Sequence, residues 1–197
     1  TPIIYAGGSI MISSFYNASE ILKTICREKI NYMFAVPVMY QMIADTPEWH
    51  DADLSHVHFF ISGGAPIPLP VIRKYQDEKG VGFVQGYALT ETGRLTSLDL
   101  EDSVAPPDKP AARETGSVGK EVFHVNLRIV DDQGRDIHTA DPGEILVQGP
   151  NVFSRYWNNE TATKAAFRDG WFCTGDMGRR DEEGFVYIVG RKVEMII

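Results

Sequence analysis

The sequence predicts an α/β fold, a layered subdomain of parallel strands and helices followed by a mainly antiparallel β subdomain. Two patterns carry this. Through about Leu100, short and almost wholly apolar runs alternate with stretches of helical period, as in parallel strands buried beneath helices. Beyond it, alternating segments are separated by Asp- and Gly-rich turns. Composition allows such cores, with 43% hydrophobic and 23% charged residues in a chain of 197.

Asn17-Ala18-Ser19-Glu20 resembles a capping box, and Ile21, Leu22, Ile25 and Cys26 follow on one helical face, predicting a helix from Ser19 to Lys29. Tyr32 to Val36 reads as a buried strand closed by Pro37, with an amphipathic helix through Tyr40, Met42 and Ile43 after it. The unit repeats: Val57 to Ile61 is strand-like, Gly63-Gly64 breaks it, and Pro70 suits a helix start before Val71, Ile72 and Tyr75. Val81 to Val84 is the third expected strand. Such strands predict a sheet covered on both faces, with ligands gathering beyond the carboxyl ends of the strands.

Asp99 to Arg113 holds Pro106-Pro107 and Pro110 without periodicity and reads as a connecting loop. Turns are expected at Asp132-Gln133-Gly134, Asp141-Pro142-Gly143 and Glu182-Glu183-Gly184, strands at Val125 to Ile129 and Glu144 to Val147, and a short helix at Glu160 to Phe167. The expected organisation is residues 1–100 as the α/β part, 101–116 as a connector and 117–197 as the β-rich part. The chain starts at Thr1 inside an apolar stretch and stops at Ile197 in mid-strand, as expected of a piece of a longer protein.

Charge narrows the function. Lys and Arg number 19 against 27 Asp and Glu, a net charge of −8, which argues against a nucleic-acid partner. No apolar run reaches membrane-spanning length, and Thr1 to Ser14 lacks a signal-peptide pattern, so a cytoplasmic location is expected. Cys26 and Cys173 have neither disulfide-framework nor zinc spacing.

Three clusters carry candidate chemistry. In Ser62-Gly63-Gly64-Ala65-Pro66, two glycines after a strand let backbone amides and carbonyls approach a flat ligand; a plain strand-to-helix turn uses the same residues. In Gln85-Gly86-Tyr87-Ala88-Leu89-Thr90-Glu91, Tyr87 can stack on a purine, Thr90 can donate to phosphate and Glu91 can hold Mg2+. The alternative there is a core ring followed by a helix capped at Thr90. In Gly170-Trp171-Phe172-Cys173-Thr174-Gly175-Asp176, with Gly190-Arg191 beyond, Asp176 can accept both ribose hydroxyls and Arg191 can donate to sugar or phosphate; otherwise they are a turn residue and a surface charge.

Taken together, and in this order, the Gly-Gly-Ala-Pro, Tyr-x-Leu-Thr-Glu-Thr, Gly-Trp-x-x-Thr-Gly-Asp and Gly-Arg phrases resemble the adenylate-forming superfamily, which includes acyl-CoA synthetases. Gly116 to Lys120, Gly143-Glu144-Ile145, Gly149 to Val152 and Tyr156-Trp157-Asn158 extend the resemblance over nearly the whole chain. It implies a carboxylate–CoA ligase using ATP, Mg2+ and CoA; the apolar stretch Phe34 to Met42 favours a fatty acid as the carboxylate, with an aromatic acid as the alternative. It further implies that Gly64, Ala65, Pro66, Gln85, Gly86 and Tyr87 surround adenine, that Thr90 contacts phosphate and Glu91 the cation, and that Asp176 and Arg191 hold ribose. Two rival functions remain: an adenylation domain loading a carrier-protein thiol, and a non-catalytic ligand-binding homologue.

Some features depart from the family pattern. Its Gly-rich phosphate loop and small carboxyl-terminal domain are absent from these residues, so the chain alone is expected to be inactive. Ala88 replaces a common Gly, and Val193 stands at the hinge position usually held by Lys or Asp. His56 and His58 are better read as structural than as a metal pair, Asp131 to Asp136 as a hairpin turn, and Cys173 as no nucleophile.

Overall fold

The computed structural model describes residues 2–103, 116–138 and 140–192; the connector beyond Ser103 and the hinge position Val193 lie outside them. In chain order the first part contains α1 (Pro2–Tyr5), α2 (Ala18–Arg27), β1 (Tyr32–Ala35), α3 (Pro37–Ala44), a 3-10 turn (Pro47–Trp49), β2 (Phe59–Ser62), α4 (Leu69–Lys79) and β3 (Phe83–Gln85). Two short hairpin strands, β4 (Ala88–Leu89) and β5 (Gly93–Arg94), follow, then β6 (Thr96–Ser97) and α5 (Leu100–Ser103). The remainder is β7 (Ser117–Glu121), β8 (Asn126–Val130), β9 (Gly143–Gln148), α6 (Glu160–Ala166), β10 (Phe167–Arg168), β11 (Trp171–Arg180) and β12 (Val186–Arg191).

The first helix begins where its cap predicts: Asn17 is extended and its side chain accepts the Glu20 N–H at 3.0 Å. It ends two residues before the expected Lys29, which has a left-handed φ of 51°. Pro37 and Pro70 fall in the first turns of α3 and α4, where a missing N–H costs nothing. Strand β2 starts later than Val57 because that N–H closes a turn onto Leu54, and β3 starts later than Val81 because that N–H returns to the Tyr75 carbonyl.

Strands β1, β2 and β3 are parallel neighbours in that order. The expectation of a sheet covered on both faces is not met among the described residues. Consecutive order with right-handed crossovers carries α3 and α4 to the same side, so the helical layer of the described residues covers one face. There Tyr40, Phe60, Tyr75 and Phe83 form a fully buried aromatic cluster, and the Tyr40 hydroxyl reaches the Met33 and Ile61 carbonyls at 2.9 Å. On the other face Tyr32 and Phe34 remain 44% and 69% exposed.

The second sheet runs β6-β7-β12-β11-β9-β8, with β10 paired to β11, and its pairings are antiparallel as expected. Leu127, Ile129, Ile145, Val147, Phe172 and Val186 form its core. Asp131 accepts the Gln133 and Arg135 N–H groups, so that stretch is the expected hairpin turn. The start of the expected Asp99–Arg113 loop is instead helical, because the Ser103 N–H closes onto the Asp99 carbonyl.

Candidate functional site

A cavity of about 270 Å3 opens at the carboxyl ends of β2 and β3, where the α/β layer meets the antiparallel sheet. It collects Gly64, Ala65 and Pro66 after β2, Gln85, Gly86 and Tyr87 after β3, and Asp176 and Arg191 from β11 and β12. Three stretches far apart in sequence therefore meet in one place. Thr90 and Glu91 are not among its lining residues.

Local chemistry explains each wall. Gly64 takes a φ of +81°, which lets the chain turn out of β2 toward α4. A Cβ on Gly86 would stand 2.7 Å from the Thr96 carbonyl oxygen, so only glycine allows these backbones to pack this closely. Gln85 is buried, and its side-chain carbonyl accepts the Ile67 N–H at 3.3 Å, bracing the Gly64–Pro66 turn against β3. Ser62, 2% exposed, lines the cavity with a hydroxyl that has no hydrogen-bond partner among the described residues. An orphaned buried hydroxyl facing a cavity fits a polar ligand edge.

Asp176 is 4% exposed and lies directly across the β11–β12 ladder from Arg191. Its Oδ1 pairs with Arg191 Nε at 2.9 Å, and its Oδ2 accepts the Tyr87 hydroxyl. The β11–β9 register shifts between Cys173 and Met177, an irregularity that frees Thr174 to Asp176 from pairing with β9. Thr174 fills the gap, donating to the Ile145 carbonyl at 2.8 Å and accepting the Asp176 N–H at 3.1 Å. Burial, and then the Asp176 carboxylate, push the Tyr87 phenol well above its ordinary pKa, so it stays protonated and donates.

Tyr87 belongs to the second core, with its N–H on the Thr96 hydroxyl at 3.1 Å and its carbonyl accepting the Leu95 N–H at 2.8 Å. No helix follows it. Leu89 and Thr92 close a hairpin turn, the Thr92 hydroxyl accepting the Leu89 N–H at 3.3 Å, so a helix cap at Thr90 is ruled out. Thr90 is exposed at the tip. Glu91 is half-buried, with one carboxylate oxygen accepting the Tyr156 hydroxyl at 2.9 Å and its carbonyl accepting the Phe153 N–H at 2.8 Å. Asn151 donates to the Thr92 carbonyl at 2.8 Å, pinning the same turn. Ala88 lies in β4 outside the left-handed region, so its methyl group costs the backbone little.

Tyr156, Asn151 and Thr174 stand within the quoted phrases but carry no predicted role. Their bonds to Glu91, Thr92 and Ile145 are long-range and leave no local spacing. His56 Nε2 lies 3.0 Å from the Ile25 carbonyl, and burial raises the Cys173 thiol pKa.

The family model described as "AMP-binding enzyme" matches residues 1–157. The chain belongs to the AMP-binding enzyme family. Indoleacetate--CoA ligase of Aromatoleum aromaticum is 40% identical over all of this chain and 37% of its own length. Feruloyl-CoA synthase of an Amycolatopsis species is 36% identical over all of this chain and 38% of its own length. ATP-bound MatB from Rhodopseudomonas palustris superposes with a TM-score of 0.83 at 32% identity, covering 98% of this chain and 37% of that one. The AMP-binding chain thus spans under two fifths of these relatives. No helix among its described residues is long and apolar enough to cross a membrane.

Proposed function

We propose that this AMP-binding chain is the nucleotide-binding core of an ATP-dependent carboxylate–CoA ligase. The observation that carries the reading is the single cavity joining the Gly64–Pro66 turn, the Gln85–Tyr87 strand end and the Asp176–Arg191 pair. Its size, at the small end for a small-molecule site, suits a nucleoside with its phosphates directed outward.

In this reading adenine lies against Tyr87 between the Gly64–Pro66 and Gln85–Gly86 backbones. Asp176 and Arg191 hold the ribose, and Thr90 donates to phosphate. Glu91 is the residue that would hold Mg2+; a lone carboxylate suffices, because this ion commonly keeps water and phosphate oxygens as its other ligands. Bound there, the cation would neutralise charge on the departing pyrophosphate. The substrate carboxylate attacks the α-phosphate to form an acyl-adenylate and pyrophosphate, and the CoA thiol then displaces AMP. The protein's part is to fix the sugar so that the α-phosphate meets the carboxylate in line.

The acid is one with an apolar body. The sequence favours a fatty acyl chain, whereas indoleacetate and ferulate, in the names of the two relatives, carry aromatic rings. ATP–pyrophosphate exchange by the full-length parent, with fatty and aromatic acids in the panel and this chain as control, tests the reading. Carboxylate-dependent exchange by the parent supports it and names the acid. No exchange from a folded parent favours a non-catalytic homologue, and exchange without CoA thioester formation favours a carrier-protein acceptor.

A further inference from the structure

The three groups at the sugar end of the cavity differ sharply in freedom. Arg191 is 57% exposed at its side chain, so solvent surrounds much of the guanidinium. Tyr87 is 8% exposed, its backbone is held by Leu95 and Thr96, and its hydroxyl ends on Asp176 Oδ2. Asp176 itself is 4% exposed, and β9 does not pair with it, so the ladder fixes its backbone from the β12 side only and its side chain takes its aim from its partners. A buried carboxylate held by one flexible cation would be poorly aimed. The Tyr87 hydroxyl is its rigid constraint.

Lone-pair accounting gives that constraint a purpose. A carboxylate offers about four acceptor positions, two on each oxygen. The Tyr87 hydroxyl occupies one on Oδ2, and Arg191 Nε forms an ion pair with Oδ1 at 2.9 Å. Acceptor positions therefore remain on both oxygens. That is what two vicinal hydroxyls require.

We propose that the Tyr87 hydroxyl is a positioning group, which holds the Asp176 carboxylate so that its free acceptor positions receive the two hydroxyls of a cis-diol on the bound nucleotide. The inference rests on the ATP reading above and extends it. Tyr87 contributes twice, its ring beside the base and its hydroxyl through Asp176, so base and sugar recognition are coupled through one side chain. The phenol gains no bond to the ligand; its effect passes entirely through the carboxylate.

Tyr87→Phe keeps the ring and removes the hydroxyl. In pyrophosphate exchange by the full-length parent, the wild type should prefer ATP over 2′-deoxy-ATP and 3′-deoxy-ATP by about tenfold or more in kcat/KM, the scale of one charge-assisted hydrogen bond. Tyr87→Phe should cut that preference to within about threefold by raising KM for ATP, with the deoxy analogues and kcat little changed. Asp176→Asn should lose the preference as well, and the double variant should lose no more than Asp176→Asn alone. An unchanged preference in Tyr87→Phe, an equal loss for ATP and its deoxy analogues, or additive losses in the double variant would each overturn the proposal. Exchange with no ribose preference in the wild type overturns this inference alone. No exchange at all overturns the ligase reading and this inference together.

Discussion

The wall around Asp176 and the turn carrying Thr90 and Glu91 are held in different ways. The wall is built from two strands in register, a buried ring and a carboxylate whose two oxygens are both engaged without any ligand. The turn is a three-residue tip, Thr90 to Thr92, on a short hairpin, tied to the rest by Tyr156, Phe153 and Asn151. In the proposed reading, the fold therefore prepares the nucleoside end of the site in advance and leaves Thr90, at the phosphate end, exposed. Preorganisation favours affinity, because little ordering remains to be done on binding. A half-buried carboxylate on that turn suits, in the same reading, a group whose remaining ligands arrive with the substrate.

This contrast breaks if substitutions at the two ends behave alike. The largest expected effect is at the turn. Glu91→Ala in the full-length parent should slow adenylation on the order of a hundredfold, a loss of about 2.7 kcal/mol of charge stabilisation, while thermal unfolding stays near the wild type. Undiminished exchange at low Mg2+ would remove Glu91 from the cation. The next effect belongs to the wall, and there binding and stability should fall together. Asp176→Ala should weaken ATP by about 2 kcal/mol and also destabilise the fold, because the buried Tyr87 hydroxyl loses its acceptor. An ATP dissociation constant equal to that of the wild type would leave Asp176 a purely structural residue.

Much of this was legible in the sequence because it is periodic or punctuated. Asn17 announces α2, Pro37 and Pro70 mark helix starts, and the alternation of Leu127 and Ile129 predicts β8. The Gly63-Gly64 and Gln85-Gly86-Tyr87 phrases come at strand ends, where a cavity in a parallel layer is expected, and the cavity is there. What was not legible is long-range and side-chain mediated. The Tyr87–Asp176 bond spans 89 residues and the Glu91–Tyr156 bond 65, and neither imposes any local spacing. The single helical face was not legible for another reason: apolar strands do not say which face takes the helices, which follows from strand order and crossover hand. Thr90 illustrates the limit of a motif. A Thr before a Glu suits a helix cap and a hairpin tip equally, and the Leu89–Thr92 closure decides between them.

A substitution remote from both ends calibrates the comparison. Asn17→Ala removes the side-chain cap of α2 and should cost about 1 kcal/mol of stability in chemical denaturation, with the ATP dissociation constant unchanged. A shift in ATP affinity of similar size would show that general loosening reaches the cavity, and the Asp176 result would then need that amount subtracted.

The smallest effect sharpens the comparison most, because it separates where Glu91 is held from what Glu91 does. Tyr156→Phe deletes one donor to the Glu91 carboxylate and leaves the ring packed on Phe153. Tyr156 is partly exposed, so water can replace its hydroxyl, and the expected stability loss is about 0.5 kcal/mol. Burial and the Glu91 carboxylate raise the phenol pKa, so the bond persists through neutral and mildly alkaline pH and should not itself give a pH dependence there. The informative readout is the Mg2+ concentration giving half-maximal exchange. If the Tyr156 bond aims the carboxylate, that concentration rises a few-fold while ATP affinity at saturating Mg2+ stays fixed. If it instead competes with the cation for the same oxygen, the concentration falls. Either shift leaves the turn as the adjustable end of the site; a change in ribose preference would not, because it would mean that the turn and the wall move as one.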